Sequence, residues 1–197
     1  MDGTLIDSSS VIANAINHVR GKLSLEPMPN KQIVACINNT KIHAPSYFYE
    51  APNFTKEHEN WFQEYYTDHH NIDTALYEGV GELLVKLSNT HALSVATNAY
   101  KLSAMQILDA NDISRYFDII MCADEVTNAK PHREMLDVIV EYYEADRDKF
   151  VVIGDGERDI MAAQNAGIDS ILVDWGFSDH GEAVKSIEEL EDILLTP

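Results

Sequence analysis

From Leu93 to the end of the chain, short apolar runs alternate with longer stretches that bring apolar side chains round every three or four residues. Residues 93–97, 118–122, 150–154 and 170–174 are short, apolar and partly β-branched, the pattern of strands buried on both faces. Between and after them, residues 101–110, 133–143, 158–165 and 183–195 carry helical periodicity, with Met135, Val138, Ile139 and Tyr142 on one face of the second. This alternation predicts an α/β fold, a Rossmann-like parallel sheet flanked by helices. Residues 8–76 behave differently. They hold helical stretches interrupted at Pro27, Pro29, Pro45 and Pro52, and the clearest follows Thr55, an N-cap with Glu57 and Glu59 in the first turn. That helix places Trp61, Phe62, Tyr65 and Tyr66 on one side. The pattern predicts an inserted α-helical cap domain at 8–76 and an α/β core formed by 1–7 and 77–197.

Composition narrows the function classes. The 197 residues are 45% hydrophobic and 24% charged, an ordinary globular balance. Lys+Arg total 14 against 33 Asp+Glu, a net charge of −19, with no basic cluster, so nucleic acid is not an expected partner. No apolar run approaches the ~18 residues of a membrane span, and Met1-Asp2-Gly3 lacks the basic start of a secretory signal. A cytoplasmic location is expected. Cys36 and Cys122 lie far apart and read as reduced thiols of the interior, with no Cys-x-x-Cys for zinc. Oligomeric state is not encoded in any pattern here.

The candidate chemistry gathers at strand ends. In an open parallel sheet the carboxyl ends of the strands form the ligand crevice, which would receive Thr97-Asn98, Lys130-Pro131 and Gly154-Asp155-Gly156-Glu157-Arg158-Asp159. Carboxylate oxygens such as those of Asp155 and Asp159 suit a hard cation like Mg²⁺. Equally, Asp155 would serve as a helix cap, Asp159 as a solvated acid, Lys130 as a surface lysine and Thr97 as an ordinary strand-end residue. Residues 1–4 form an acidic turn in which Gly3 permits tight backbone geometry, and Ser8 to Ser10 are available to cap a helix. Gly79-Val80-Gly81 follows no strand and lacks a third glycine, which argues against a dinucleotide site. His69-His70 has no partner cluster for zinc.

Taken in order, Asp2-Gly3-Thr4-Leu5-Ile6-Asp7-Ser8, Thr97-Asn98, Lys130-Pro131 and the Gly154–Asp159 run resemble the four motifs of the haloacid dehalogenase superfamily. The likeness is to its phosphoglycolate phosphatase-like branch, which has a helical cap after the first motif, and it extends to Tyr77-Glu78-Gly79-Val80-Gly81 and Trp175-Gly176-Phe177. The resemblance implies Mg²⁺-dependent hydrolysis of a small phosphorylated metabolite through an aspartyl-phosphate. By it, Asp2 is the general acid/base and contributes its backbone carbonyl to the metal. Thr97 and the Asn98 amide bind phosphoryl oxygens, and Lys130 neutralises their charge. Asp155 ligates the metal, and Asp159 does so through water or positions Lys130. The family pattern is Asp-x-Asp-Gly-Thr, and Met1 occupies the x. The nucleophilic Asp and the strand before it are therefore expected immediately upstream of Met1, and residues 1–197 alone are expected to lack turnover. At the position where the family often carries an Ile-Gly turn in the cap stands Val34-Ala35-Cys36-Ile37-Asn38-Asn39, which sets phosphoglycolate itself in question. The alternatives are a sugar-phosphate mutase or nucleotidase of the same fold, or a non-catalytic protein of that fold binding a ligand or partner.

Overall fold

The structure, a computed structural model, describes residues 1–37, 39, 41–175 and 182–196, with the backbone alone at 70–73. In chain order come β1 (Ile6–Asp7), α1 (Ser9–Lys22), α2 (Asn30–Ile37), α3 (Ala44–Tyr49), α4 (Lys56–Asp73), β2 (Ala75–Leu76), α5 (Val80–Leu87) and β3 (Ser94–Thr97). They are followed by α6 (Lys101–Ala110), β4 (Ile119–Cys122), α7 (Glu134–Tyr143), β5 (Val151–Gly154), α8 (Glu157–Ala166), β6 (Asp169–Leu172) and α9 (Ile187–Leu195). The α/β architecture expected from the alternating pattern is present.

Two parallel pairs carry the second half, β3 with β4 (Val95 opposite Ile120) and β5 with β6 (Ile153 opposite Ile171). Side chains alternate across the first pair as the strand period requires. Val95 and Ile120 enter one cluster with Ile107 and Leu108 of α6 and Leu84 of α5. Met121 enters another with Met135 and Ile139 of α7 and Ala162 and Ala163 of α8. Both faces are covered, which is why these strands read as continuous apolar runs. Among the described residues no ladder joins β3 to β5. The turn at residues 1–4 touches both pairs instead: Met1 lies in the cluster that holds Val95, and Thr4 bonds to Asp155 just after β5.

The four helices α1–α4 occupy most of the first third and share a cluster of their own, formed by Ala13, Ile16, Val19, Ile33, Phe48 and Tyr49 with Trp61 and Phe62 of α4 packed against it. Thr55 caps α4 as its sequence suggests, its hydroxyl accepting from the His58 amide at 3.2 Å. The chain leaves and re-enters the α/β part through β1 and β2, paired antiparallel with Ile6 opposite Leu76 and Asp7 opposite Ala75. Two-residue strands leave no periodicity to read, so the sequence predicts no strand at either place. A helix expected from 183 begins only at Ile187, because Val184 forms a parallel bridge with Val173 and Ser186 caps the helix, accepting from the Glu189 amide. Among the described residues no helix is long and apolar enough to cross a membrane. Gly176, Phe177, Asn38 and the side chain of His70 lie outside the described residues.

Candidate active site

The first turn builds the floor of the site. The Met1 carbonyl accepts from the amides of Thr4, Leu5 and Ile6 at 3.3, 2.8 and 3.1 Å, closing a tight loop around Gly3. Gly3 holds a φ of +74°, and the Asp155 carboxylate lies so close that any Cβ there would overlap it. Thr4 Oγ1 donates to Asp155 Oδ1 at 2.9 Å, and Trp175 Nε1 donates to the Thr4 carbonyl at 2.9 Å. Asp155 is thus buried, 4% exposed, and burial pushes its carboxyl above the usual range. It does not cap the next helix. That position belongs to Gly156, whose amide donates to Asp159 Oδ2 at 3.3 Å.

Lys130 is no surface lysine. Its Nζ donates to Asp159 Oδ1 at 2.5 Å and to the Ala96 carbonyl at 2.6 Å, and the two side chains are only 10% and 14% exposed. Burial works against the Asp159 charge, but the Lys130 ammonium beside it holds the carboxyl below the usual carboxylate range. The loop that carries Lys130 is itself clamped: Asn98 Nδ2 donates to the Lys130 carbonyl at 2.9 Å, and the Lys130 amide donates back to Asn98 Oδ1 at 3.1 Å. Thr97 ends β3 almost fully buried, its Oγ1 accepting from the Ala99 amide at 3.1 Å, which leaves the O–H to donate toward a ligand.

Asp2 faces α4. Its Oδ1 accepts from Tyr66 Oη of α4 at 3.1 Å, while burial and the Asp2 charge keep the Tyr66 phenol well above its ordinary pKa and therefore a donor. Beside it Gln63 Nε2 donates to Ser103 Oγ of α6 at 2.9 Å, a second bond from α4 to the α/β part. Asp2, Thr97, Asn98, Lys130, Asp155 and Asp159 all line one cleft of about 430 Å³ between the helices and the sheet.

The family is decided by most of the chain. The model of haloacid dehalogenase-like hydrolases matches residues 1–173. The chain belongs to the haloacid dehalogenase-like hydrolase family. It is similar to pyrophosphatase PpaX of Halalkalibacterium halodurans, 26% identical over 205 residues, covering 98% of this chain and 94% of that protein. It also resembles a phosphoglycolate phosphatase of Caulobacter vibrioides, 27% identical over 190 residues, 91% of this chain and 78% of that one. A predicted phosphatase from Clostridium acetobutylicum shares the fold, with a TM-score of 0.86 at 23% identity over 99% of this chain and 95% of its own. The relatives' names support the expected class of enzyme, a hydrolase of phosphate esters.

Within this haloacid dehalogenase-like hydrolase, the residue chemistry fits a hard cation at Asp155. Asp155 follows the carboxyl end of β5 with one oxygen accepting from Thr4 Oγ1, and carboxylate oxygens are the donors that a hard cation takes. Among the described residues no three His, Cys, Asp or Glu side chains converge as a cage, so Asp2, Asp155 and Asp159 do not form an all-carboxylate set. Four contributors were not foreseen. Thr4 bonds to Asp155 across 151 residues and Trp175 to Thr4 across 171, the Asn98 side chain holds the Lys130 loop, and Tyr66 reaches Asp2 from α4. Only the aromatic face of α4 gave any sequence signal for Tyr66.

Proposed function

We propose that this cleft hydrolyses a small phosphomonoester with the help of Mg²⁺, in the cytoplasm, with residues 1–7 and 77–197 as catalytic core and 8–76 as the cap that admits substrate. The observation that carries the reading is the half-buried Lys130–Asp159 pair beside the buried Thr97 at the mouth of β3. Phosphoryl transfer demands mainly positioning and neutralisation of spread negative charge, and a fixed ammonium next to a buried hydroxyl donor supplies both. Thr97 Oγ1 and the Asn98 amide orient the phosphoryl oxygens. Lys130 Nζ, held in place by Asp159 and Ala96, balances their charge. Asp2, aligned by Tyr66, gives its proton to the leaving oxygen and then takes one from the attacking water. Asp155, with the Asp2 carbonyl, would hold Mg²⁺, which supplies further charge neutralisation when bound. In the family pattern that residues 2–4 resemble, the attacking carboxylate stands two positions before Asp2.

The test is Mg²⁺-dependent phosphate release from a panel of phosphomonoesters by the natural protein that carries residues 1–197. Asp2→Asn and Lys130→Ala are each expected to lower kcat by about 10²–10³-fold. Turnover that survives both substitutions, or that needs no divalent cation, contradicts the proposal.

A further inference from the structure

We infer that the cleft selects phosphomonoesters whose leaving group is uncharged and apolar, of aromatic-ring size, over pyrophosphate or a carboxylate-bearing ester such as phosphoglycolate. This rests on the phosphomonoesterase reading above and names the substrate class within it.

The cleft has two unlike ends. Its floor, contributed by the α/β part, is polar and holds both of the cations on its lining, Lys130 and Arg158. Its far wall, contributed by the cap, is formed by Ile12 and Ile16 of α1, Ile37 of α2, Phe48 of α3, Phe62 of α4 and Phe54 just before α4. Among the described residues the cap places no Lys or Arg on this wall and one carboxylate, Glu59. The single cap arginine, Arg20, is buried elsewhere, its Nε and Nη1 donating to the Glu26 and Phe48 carbonyls. Gln63 spends its amide N–H groups on Thr67 and Ser103, and His58 Nδ1 accepts from the Thr55 amide.

A phosphate seated on the floor therefore points the rest of its molecule at aliphatic and aromatic surface. A second anionic group there would lose its hydration without gaining a cation, and would meet Glu59. An aromatic group would instead lie against rings already fixed in place: Phe62 stacks on Tyr66 at 5.8 Å between centroids, and Tyr49 meets Phe54 edge-on at 5.8 Å. The volume, about 430 Å³, falls in the ~300–1,000 Å³ range of pockets that enclose whole organic ligands, more room than a two-carbon acid fills.

Binding of non-hydrolysable phosphonates, measured by calorimetry with Mg²⁺ on the natural protein carrying residues 1–197, tests this without depending on turnover. Naphthylmethylphosphonate is expected to bind at least tenfold tighter than methylphosphonate, phosphonoacetate or pyrophosphate. Phe62→Asp, and Phe54→Ser at a ring 48% exposed whose loss the fold tolerates, should each cut the naphthylmethyl-to-methyl affinity ratio at least fivefold. Phosphonoacetate or pyrophosphate binding as tightly as the aromatic ligand overturns the inference while the phosphatase reading stands. An unchanged ratio in both variants also overturns it. Failure of every phosphonate to bind overturns the phosphatase reading and this inference together.

Discussion

On the floor of the cleft, three polar side chains are tied to other elements by bonds of defined geometry: Asp155 to Thr4, Lys130 to Asp159 and to the β3 backbone, Asn98 to the Lys130 loop. On the opposite wall, formed by α1–α4, Ile12, Ile16, Phe48 and Phe62 are held by packing alone, among side chains that also build the cluster these helices share. Packing tolerates exchange of one apolar residue for another of similar volume, typically at under about 1.5 kcal/mol. A network of buried polar bonds does not, since a partner left unsatisfied costs about 1–3 kcal/mol or more. The contrast teaches that this architecture can keep its chemistry while its specificity drifts.

Gly3 offers the sharpest break on the floor side, with Gly167 as its control. Both glycines hold positive φ, +74° and +66°, where an L-residue costs about 1–2 kcal/mol. A Cβ at Gly167 meets nothing within 4 Å, whereas one at Gly3 overlaps the Asp155 carboxylate. Gly167→Ala is expected to lower Tm by about 2–6 °C. Gly3→Ala should lower it further and remove Mg²⁺-dependent activity, as thermal melts and kinetics on the two variants will show. Equal melts and retained activity would mean that the Asp155 carboxylate has room to move.

Tyr66 is where the two regions meet, and it gives a smaller effect. Tyr66→Phe keeps the ring stacked on Phe62 and deletes only the O–H that reaches Asp2. A hydrogen bond to a charged group contributes about 1.5–3 kcal/mol, so kcat should fall at least about tenfold with KM nearly unchanged. A change confined to KM would assign Tyr66 to the substrate-facing wall instead of to the alignment of Asp2.

The floor was partly legible in the chain because strand ends are. Thr97 and Gly154 each close an apolar run, Lys130 and Asp155 stand in the loops that follow such runs, and Asp159 sits in the first turn of α8. What eluded the sequence depends on separations that no local pattern encodes, such as the Trp175 bond to Thr4 across 171 residues. Tyr66 shows the same limit on a helix: its spacing announces an apolar face, and only the placement of α4 against residues 1–4 turns one of its hydroxyls toward Asp2. The sheet itself shows how topology exceeds pattern, for the runs predict parallel strands but not that β3–β4 and β5–β6 form separate ladders here.

The most direct test of the central claim, that four distant segments form one phosphate-handling site, is a crystal structure of the protein soaked with Mg²⁺ and tungstate. The account predicts the oxyanion on Thr97 Oγ1, the Asn98 amide and Lys130 Nζ, with the metal on Asp155. Tungstate bound away from these three donors, or a metal that leaves Asp155 unligated, would contradict it.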